Sequence, residues 1–422
     1  MRLMNYSGNK MKQLIVLFVF AISCSKKGGD NNGGGGTPPP PVVAEITVLA
    51  NDTKQVMQGF GCATVFNPPN TTPITNEEFD RLFGSGSGQV GLNILRIRVA
   101  ADDAWRATEL NYAKAAMQRG ARVMASPWSP PPRMKTNNNL IGGSLIADSG
   151  ANYAKYLNDF ANYMAANNAA LYAVSVQNEP DITVTYESCE WTADQMRLFL
   201  RNHGHLITST KLMAPESFNN NLNYVNNILG DDVAAANVDL VGGHIYGNGI
   251  IENDLAKNKN KEVWMTEHLD EDITYNGALN TAIEIHDCLT KANFNAYIWW
   301  YGKRFYGPIG QDGMVTKRGY IMSHFARFVK PASVRIGTSS NSVSGVYISA
   351  FKNGTKKIIV TINNLNTVVN QTIKVQDAIA TDFMPYTTTS GTNVVLGTKI
   401  TATNNSFVYS LPAYSITTFV EQ

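Results

Sequence analysis

From Val42 onward the chain alternates short apolar runs with longer amphipathic stretches. Residues 93–99, 121–126, 171–177, 211–215, 240–246, 262–267 and 296–301 are compact runs of strand length, and 59–62 is a shorter one. Continuous apolar character without strict alternation is what a strand covered on both faces requires. Between the runs, 76–83, 105–119, 152–167, 192–208 and 278–291 carry helical spacing, and Gly120 stands where a helix C-cap is expected. Eight strands alternating with helices over residues 59–329 predict a closed (β/α)8 TIM barrel rather than an open sheet. After Lys330-Pro331 the texture changes. Runs 346–351, 357–362 and 406–409 are β-rich, are separated by Asn and Gly turns, and include Asn353-Gly354, a hairpin signal. They predict a side β-sandwich domain. The orphan strand 46–56 has no place in a barrel, so the sandwich is expected to comprise residues 42–58 plus 330–422.

The N-terminus follows another pattern. Lys10 and Lys12 precede the apolar run 14–22, and Ala21-Ile22-Ser23-Cys24 follows. A charged start, a short apolar run and small residues before a cleavage point describe an export signal over residues 1–23. The run is too short to cross about 30 Å of hydrocarbon as a helix. Met11-Lys12 also opens a conventional signal, so translation from Met11 is an equally natural start. Cys24 resembles the lipidated cysteine of a bacterial lipobox. Residues 24–41, with Gly33 to Gly36 and Pro38 to Pro41, read as a flexible tether stiffened at its end. The expectation is an exported lipoprotein at the outer membrane or cell surface, touching membrane only through that anchor.

Composition narrows the function. Among 422 residues, Lys plus Arg is 35 and Asp plus Glu 33, a net charge of +2 that offers no basic footprint for nucleic acid. Four cysteines cannot staple a chain of this length. Cys62, Cys189 and Cys288 show no metal spacing, and His244, His268 and His286 do not follow the HExxH pattern. No glycine-rich phosphate loop follows a strand. No metal or cofactor is implied.

Reactive residues of a (β/α)8 barrel project from the C-terminal ends of its strands. Gln177-Asn178-Glu179-Pro180 follows the fourth predicted strand, and Trp264-Met265-Thr266-Glu267 ends the seventh. Two carboxyl groups facing each other across a barrel mouth suit retaining glycoside hydrolysis, where one donates a proton and the other attacks the anomeric carbon. Indole packs well on the C–H faces of sugars. Trp128, after strand three, and Trp105, after strand two, are therefore candidate sugar platforms, whereas Trp264 and Trp300 read as core.

These segments carry a resemblance. Ser126-Pro127-Trp128-Ser129-Pro130-Pro131, Gln177 to Asp181, Trp264 to Glu267 and Trp299-Trp300-Tyr301 are similar to glycoside hydrolase family 30. Arg304-Phe305-Tyr306-Gly307-Pro308 most resembles its bacterial glucuronoxylanase branch, and similarity extends from Gln58 to Val420. The resemblance implies Glu179 as acid/base, Glu267 as nucleophile, and Asn178 as a partner of the sugar 2-hydroxyl. It implies that Tyr246 orients the nucleophile and that Trp299 forms an aromatic floor. Arg304 and Tyr306 would hold a 4-O-methylglucuronate branch, since a guanidinium forks onto a carboxylate. One departure stands out: Leu269 replaces a second branch-contacting tyrosine. The implied activity is a retaining endo-β-1,4-xylanase on glucuronoxylan; separately, the chain is expected to be a monomer. The alternatives are a linear-xylan endoxylanase, a xylobiohydrolase, a β-1,6-glucanase or a lipid-anchored glycan-binding protein.

Overall fold

The computed structural model describes residues 45–65, 73–340 and 343–422. The expected signal, the lipidation site Cys24 and the tether 24–41 lie outside the described residues. Eight parallel strands close into a barrel. They are β2 (Gly59–Ala63), β3 (Ile94–Arg98), β4 (Arg122–Ser126), β5 (Ala173–Ser175), β6 (Lys211–Ser217), β7 (Leu240–His244), β8 (Glu262–Glu267) and β9 (Ala296–Tyr301), after β1 (Glu45–Val56). The barrel interior is filled by Ile94, Met124, Ala173, Met213, Leu240, Trp264, Ala296 and Ile298. Trp264 is fully buried there, as core. Outward-facing neighbours such as Leu95, Val123, Val174, Val263 and Trp299 join the helix layer in one continuous core. Helix starts follow local chemistry. Thr75 caps the helix Asn76–Phe83 in a reciprocal box with Glu78, and Thr192 does the same with Gln195 for Ala193–His203. Each such cap contributes about 1 kcal/mol.

Strand parity overturns one expectation. In β9, Ala296 and Ile298 point into the barrel, so Trp299 points out among the helices, where it is 0 % exposed and Arg318 stacks on it at 4.7 Å. Trp299 therefore cannot form a floor for substrate. Its neighbour Trp300, expected as core, is the half-buried indole that meets Trp128 and Tyr301 at the mouth. Side chains alternate along a strand, and adjacent tryptophans must face opposite ways.

The remaining strands are β10 (Val334–Ser340), β11 (Val346–Asn353), β12 (Lys356–Asn363), β13 (Val369–Gln376), β14 (Asp382–Thr388), β15 (Val395–Leu396), β16 (Ile400–Thr401), β17 (Ser406–Leu411) and β18 (Ser415–Glu421). They run in the order β15-β14-β18-β12-β11-β10-β1-β13-β17, with β16 beside β14. Pairing is antiparallel except that β1 runs parallel to β13. The sheet doubles over its own core: Phe407 of β17 lies 4.9 Å from Phe383 of β14 and 5.3 Å from Phe419 of β18, ring to ring. The Asn-Gly hairpin joins β11 to β12, with Gly354 at φ +60° in the first central position of the turn.

Polar contacts fasten the sandwich to the barrel's outer helices. His324, fully buried, bridges Thr418 Oγ1 at 2.9 Å and Thr388 Oγ1 at 2.8 Å. Burial pushes its imidazole down to about 3, so it stays neutral. The Tyr275 hydroxyl donates to the Tyr414 carbonyl at 2.7 Å, and Lys317 Nζ donates to the Thr389 and Thr392 carbonyls at 2.9 Å.

Candidate active site

Glu267 is the last residue of β8, so its side chain leaves the barrel wall at the mouth. Glu179 lies just past β5 at φ +46°, a left-handed conformation costly for a residue with a Cβ. Backbone bonds hold it there: its N–H donates to the Glu216 carbonyl at 2.9 Å, and that of Asn178 to the Pro127 carbonyl at 2.8 Å. The two glutamates thereby converge. Oxygens of Glu179 and Glu267 lie within 4.8 Å of each other and of a His244 nitrogen. Both side chains are buried, at 5 % and 6 % exposure. Retaining glycosidases place their carboxyl groups about 5–5.5 Å apart, inverting ones about 6.5–9.5 Å.

Beneath the pair sits a network of charges. Arg96, on β3 and 0 % exposed, donates to Glu267 Oε2 at 2.6 Å and Asn178 Oδ1 at 2.7 Å. It pairs with Glu216 Oε1 at 3.1 Å, donates to Ser126 Oγ at 3.2 Å, and lies 4.7 Å over the Trp128 ring. The Tyr246 hydroxyl donates to Glu267 Oε1 at 2.9 Å, and the Tyr186 hydroxyl to Glu179 Oε2 at 3.1 Å. His244 Nδ1 is 3.0 Å from Glu179 Oε1, while its Nε2 is 3.9 Å from both Glu216 and Glu267.

Proton affinities follow from these contacts. Burial alone would lower the His244 imidazole, but Glu267, with Glu179 and Glu216, outweighs it and raises it to about 9. Burial pushes the Glu216 carboxyl up, yet Arg96, His244 and Ser126 overcome that and hold it at about 2. For Glu267 burial wins: Arg96 and His244 pull its carboxyl down, but the net direction is up. The nearby Glu179 carboxylate adds to that upward push on Glu267.

Glu179, His244 and Glu267 are also close enough together that they could ligate a metal ion. The sequence pattern had not joined His244 to the glutamates; the fold does. The donor set nevertheless suits a metal poorly. Arg96 and a protonated His244 already supply the positive charge, and a ligating imidazole must be free of its proton at the bound nitrogen.

The other expected residues are distributed around this centre. Asn178 presents its carboxamide oxygen to Arg96, and Tyr246 touches Glu267. Trp128 is at the mouth but only 3 % exposed, covered by Arg96 and Trp300, so it presents little ring face to a sugar. Trp105 is half-buried after β3, with Arg98 stacked on it at 4.7 Å and Arg98 paired to Glu187 at 3.0 Å. Arg304 is half-buried in the loop after β9, 4.8 Å over the Tyr301 ring, and its charge acts on the hydroxyl of the buried Tyr306. No carboxylate of the described residues lies within 4.0 Å of Arg304. Leu269 is half-buried against the main core.

Sequence reasoning missed Arg96, His244, Glu216 and Tyr186. The first three were detectable, because a charge inside an apolar strand must find a partner. Tyr186, 48 % exposed in the loop beyond β5, carries no such signal. A cavity of about 1050 Å³ lies elsewhere: it is lined by residues of both sandwich and barrel, among them Gln55, Arg335 and Tyr347, and by neither glutamate.

Comparison with known proteins places the fold in a family. Residues 90–268 match the glycosyl hydrolase family 30 TIM-barrel domain, and residues 333–419 its beta sandwich domain. Glucuronoxylanase XynC of Bacillus subtilis (strain 168) is 39 % identical over 391 residues, covering 89 % of this chain and 92 % of its own. Among solved structures, the glycoside hydrolase family 30 subfamily 8 xylanase Xyn30A of Clostridium acetobutylicum superimposes with a TM-score of 0.85. It is 36 % identical, covering 89 % of this chain and 99 % of that one. A GH30 endoxylanase from Clostridium papyrosolvens C71 gives 0.82 at 36 % identity, covering 90 % of this chain and 100 % of that one.

Proposed function

The chain belongs to glycoside hydrolase family 30, and from that premise we propose that it is a retaining endo-β-1,4-xylanase acting on glucuronoxylan. The observation that carries the mechanism is the buried glutamate pair, with oxygens within 4.8 Å. Glu267 receives hydrogen bonds from Arg96 and Tyr246, donors that favour its ionised form, and it attacks the anomeric carbon. Glu179 gives its proton to the departing glycosidic oxygen. The glycosyl ester on Glu267 is then released by a water whose proton Glu179 takes, which restores both residues. Asn178, fixed by Arg96, faces the 2-hydroxyl of the sugar being cleaved.

The glucuronate direction rests on Arg304. A half-buried guanidinium stacked on Tyr301 and close to Tyr306, with no carboxylate partner among the described residues, suits a ligand carboxylate. The relatives named glucuronoxylanase and xylanase support the same substrate class. With Leu269 in place of a hydroxyl, the branch contact is looser than a two-tyrosine pocket would make it.

Digestion of glucuronoxylan followed by mass spectrometry tests the substrate. Acidic oligosaccharides, each with one glucuronate near the reducing end, are expected; neutral xylobiose alone would point to exo action. An NMR time course should show the β anomer first, and an initial α anomer would refute retention. From the sequence alone we propose that Cys24 is lipidated; incorporation of labelled palmitate that persists in Cys24→Ala would refute it.

A further inference from the structure

Glu216 has no place in the mechanism above, yet it is the most deeply buried carboxylate of the site, at 0 % exposure. The fold makes specific room for it. Gly242 on β7 leaves space for both Met213 and Glu216, since a Cβ there would stand 2.6 Å from the Met213 Sδ and 2.8 Å from the Glu216 Cγ. Its own backbone adopts φ +55°, and its carbonyl accepts the N–H of Glu179. Such an investment in a buried charge calls for a reason, because an apolar side chain would fill the site at lower cost.

The reason is in the charge count. Glu216 is faced by Arg96 from β3, Ser126 from β4, Glu179 from beyond β5, His244 from β7 and Glu267 from β8. Arg96 is a permanent cation. His244 Nδ1 is 3.0 Å from Glu179 and its Nε2 3.9 Å from both Glu216 and Glu267, a setting of carboxylates that favours the imidazolium. Against those two positive charges stand Glu216 and the glutamate pair. The cluster is neutral when the pair holds one proton, and burial penalises every other count. One proton on the pair is what a retaining glycosidase needs at rest: one acid and one nucleophile. Without the Glu216 charge, the neutral state would be the one with both glutamates ionised and no acid left.

We propose that Glu216 is a positioning residue whose fixed negative charge, held between Arg96 and His244, keeps the catalytic proton on the Glu179/Glu267 pair. This rests on the reading of Glu179 as acid and Glu267 as nucleophile. The raised imidazole of His244 and the low carboxyl of Glu216 support the same count.

The test is the pH profile of kcat/KM on glucuronoxylan for the full chain and three variants. Glu216→Gln keeps the shape and removes the charge. Both limbs should move to lower pH, by about one unit or more for a charge this close in a buried setting. Activity at pH 7 should then fall about tenfold more than activity at the new optimum. Glu216→Asp keeps the charge, and its limbs should stay in place even if its rate falls. Glu179→Gln should have no basic limb in its residual turnover. A Glu216→Gln enzyme that is slower with unmoved limbs would overturn the proposal, as would shifted limbs in Glu216→Asp. The aspartate variant decides alone where the glutamine variant does not fold. A basic limb surviving in Glu179→Gln would instead overturn the assignment of the acid beneath it.

Discussion

The floor of the cleft and its rim treat positive charge in opposite ways. On the floor, Arg96 is fully buried and contacts Glu267, Asn178, Glu216 and Ser126 within 3.2 Å. At the rim, Arg304 is half-buried, lies over Tyr301, and meets no carboxylate of the described residues. A cation neutralised inside the protein cannot recruit a ligand, but it can set which groups hold protons. A cation left without a counter-charge does the reverse. On the proposed reading the floor does chemistry and the rim does recognition, and each can be damaged without the other.

The largest effect is expected from breaking the floor. Arg96→Met removes the partner of two buried carboxylates, a kind of loss that costs about 3–5 kcal/mol. We expect a clearly lower melting temperature and a fall in kcat/KM of about a thousandfold or more, equal on branched and unbranched xylan. A variant that discriminated between the two substrates would assign Arg96 to recognition and dissolve the comparison.

Next comes the floor's response to alkali. The His244 imidazole is held at about 9 in the fold, against an ordinary value near 6.5. A raised value means that its stabilising contribution is complete below about pH 6.5 and is lost as pH climbs through about 9. Chemical denaturation at pH 7 and pH 9.5 should therefore show a loss on the order of a few kcal/mol. In His244→Gln that drop should largely vanish; an unchanged drop would locate the alkaline transition elsewhere.

The difference between floor and rim also governs how much could be read from the chain. Barrel strands buried on both faces announce themselves as apolar runs, and the strand-end rule led directly to Glu179 and Glu267. The sandwich was less legible. In β13, polar and apolar residues alternate, and Gln371 is nonetheless fully buried, so the run 369–376 lacks the density that marked the barrel. Arg96 and His244 stand inside the runs 93–99 and 240–246, which signals a partner, but which partner each meets is a property of the closed barrel and not of five residues. Trp299 and Trp300 failed for a sharper reason. Adjacent strand residues face opposite sides, and only the register of β9 decides which one sees the mouth.

At the rim the expected losses are smaller and selective. Arg304→Ala should lower kcat/KM on glucuronoxylan about ten- to a hundredfold, the range for hydrogen bonds to a charged group at about 1.5–3 kcal/mol. On unbranched xylan the change should stay within about twofold. Equal losses on both substrates would make Arg304 a structural brace for the loop after β9 rather than a branch receptor.

The smallest effect separates the two arginines without replacing either. Salt screens charges that solvent reaches and largely spares buried ones; the Debye length falls from about 10 Å at 0.1 M to about 3 Å at 1 M. Arg304 is partly open to solvent and would meet its anion from solution, whereas Arg96 is 0 % exposed and meets its anions inside the barrel. Raising sodium chloride from 0.05 to 0.5 M should therefore raise KM for glucuronoxylan about two- to threefold and leave kcat unchanged. The dependence should disappear on unbranched xylan and in Arg304→Ala, since neither then has a branch ion pair to screen. A salt effect on kcat that persists in Arg304→Ala would mean that ions reach the floor. The buried network would then be open to solvent, and the neutrality that keeps one proton on the glutamate pair would lose its physical basis.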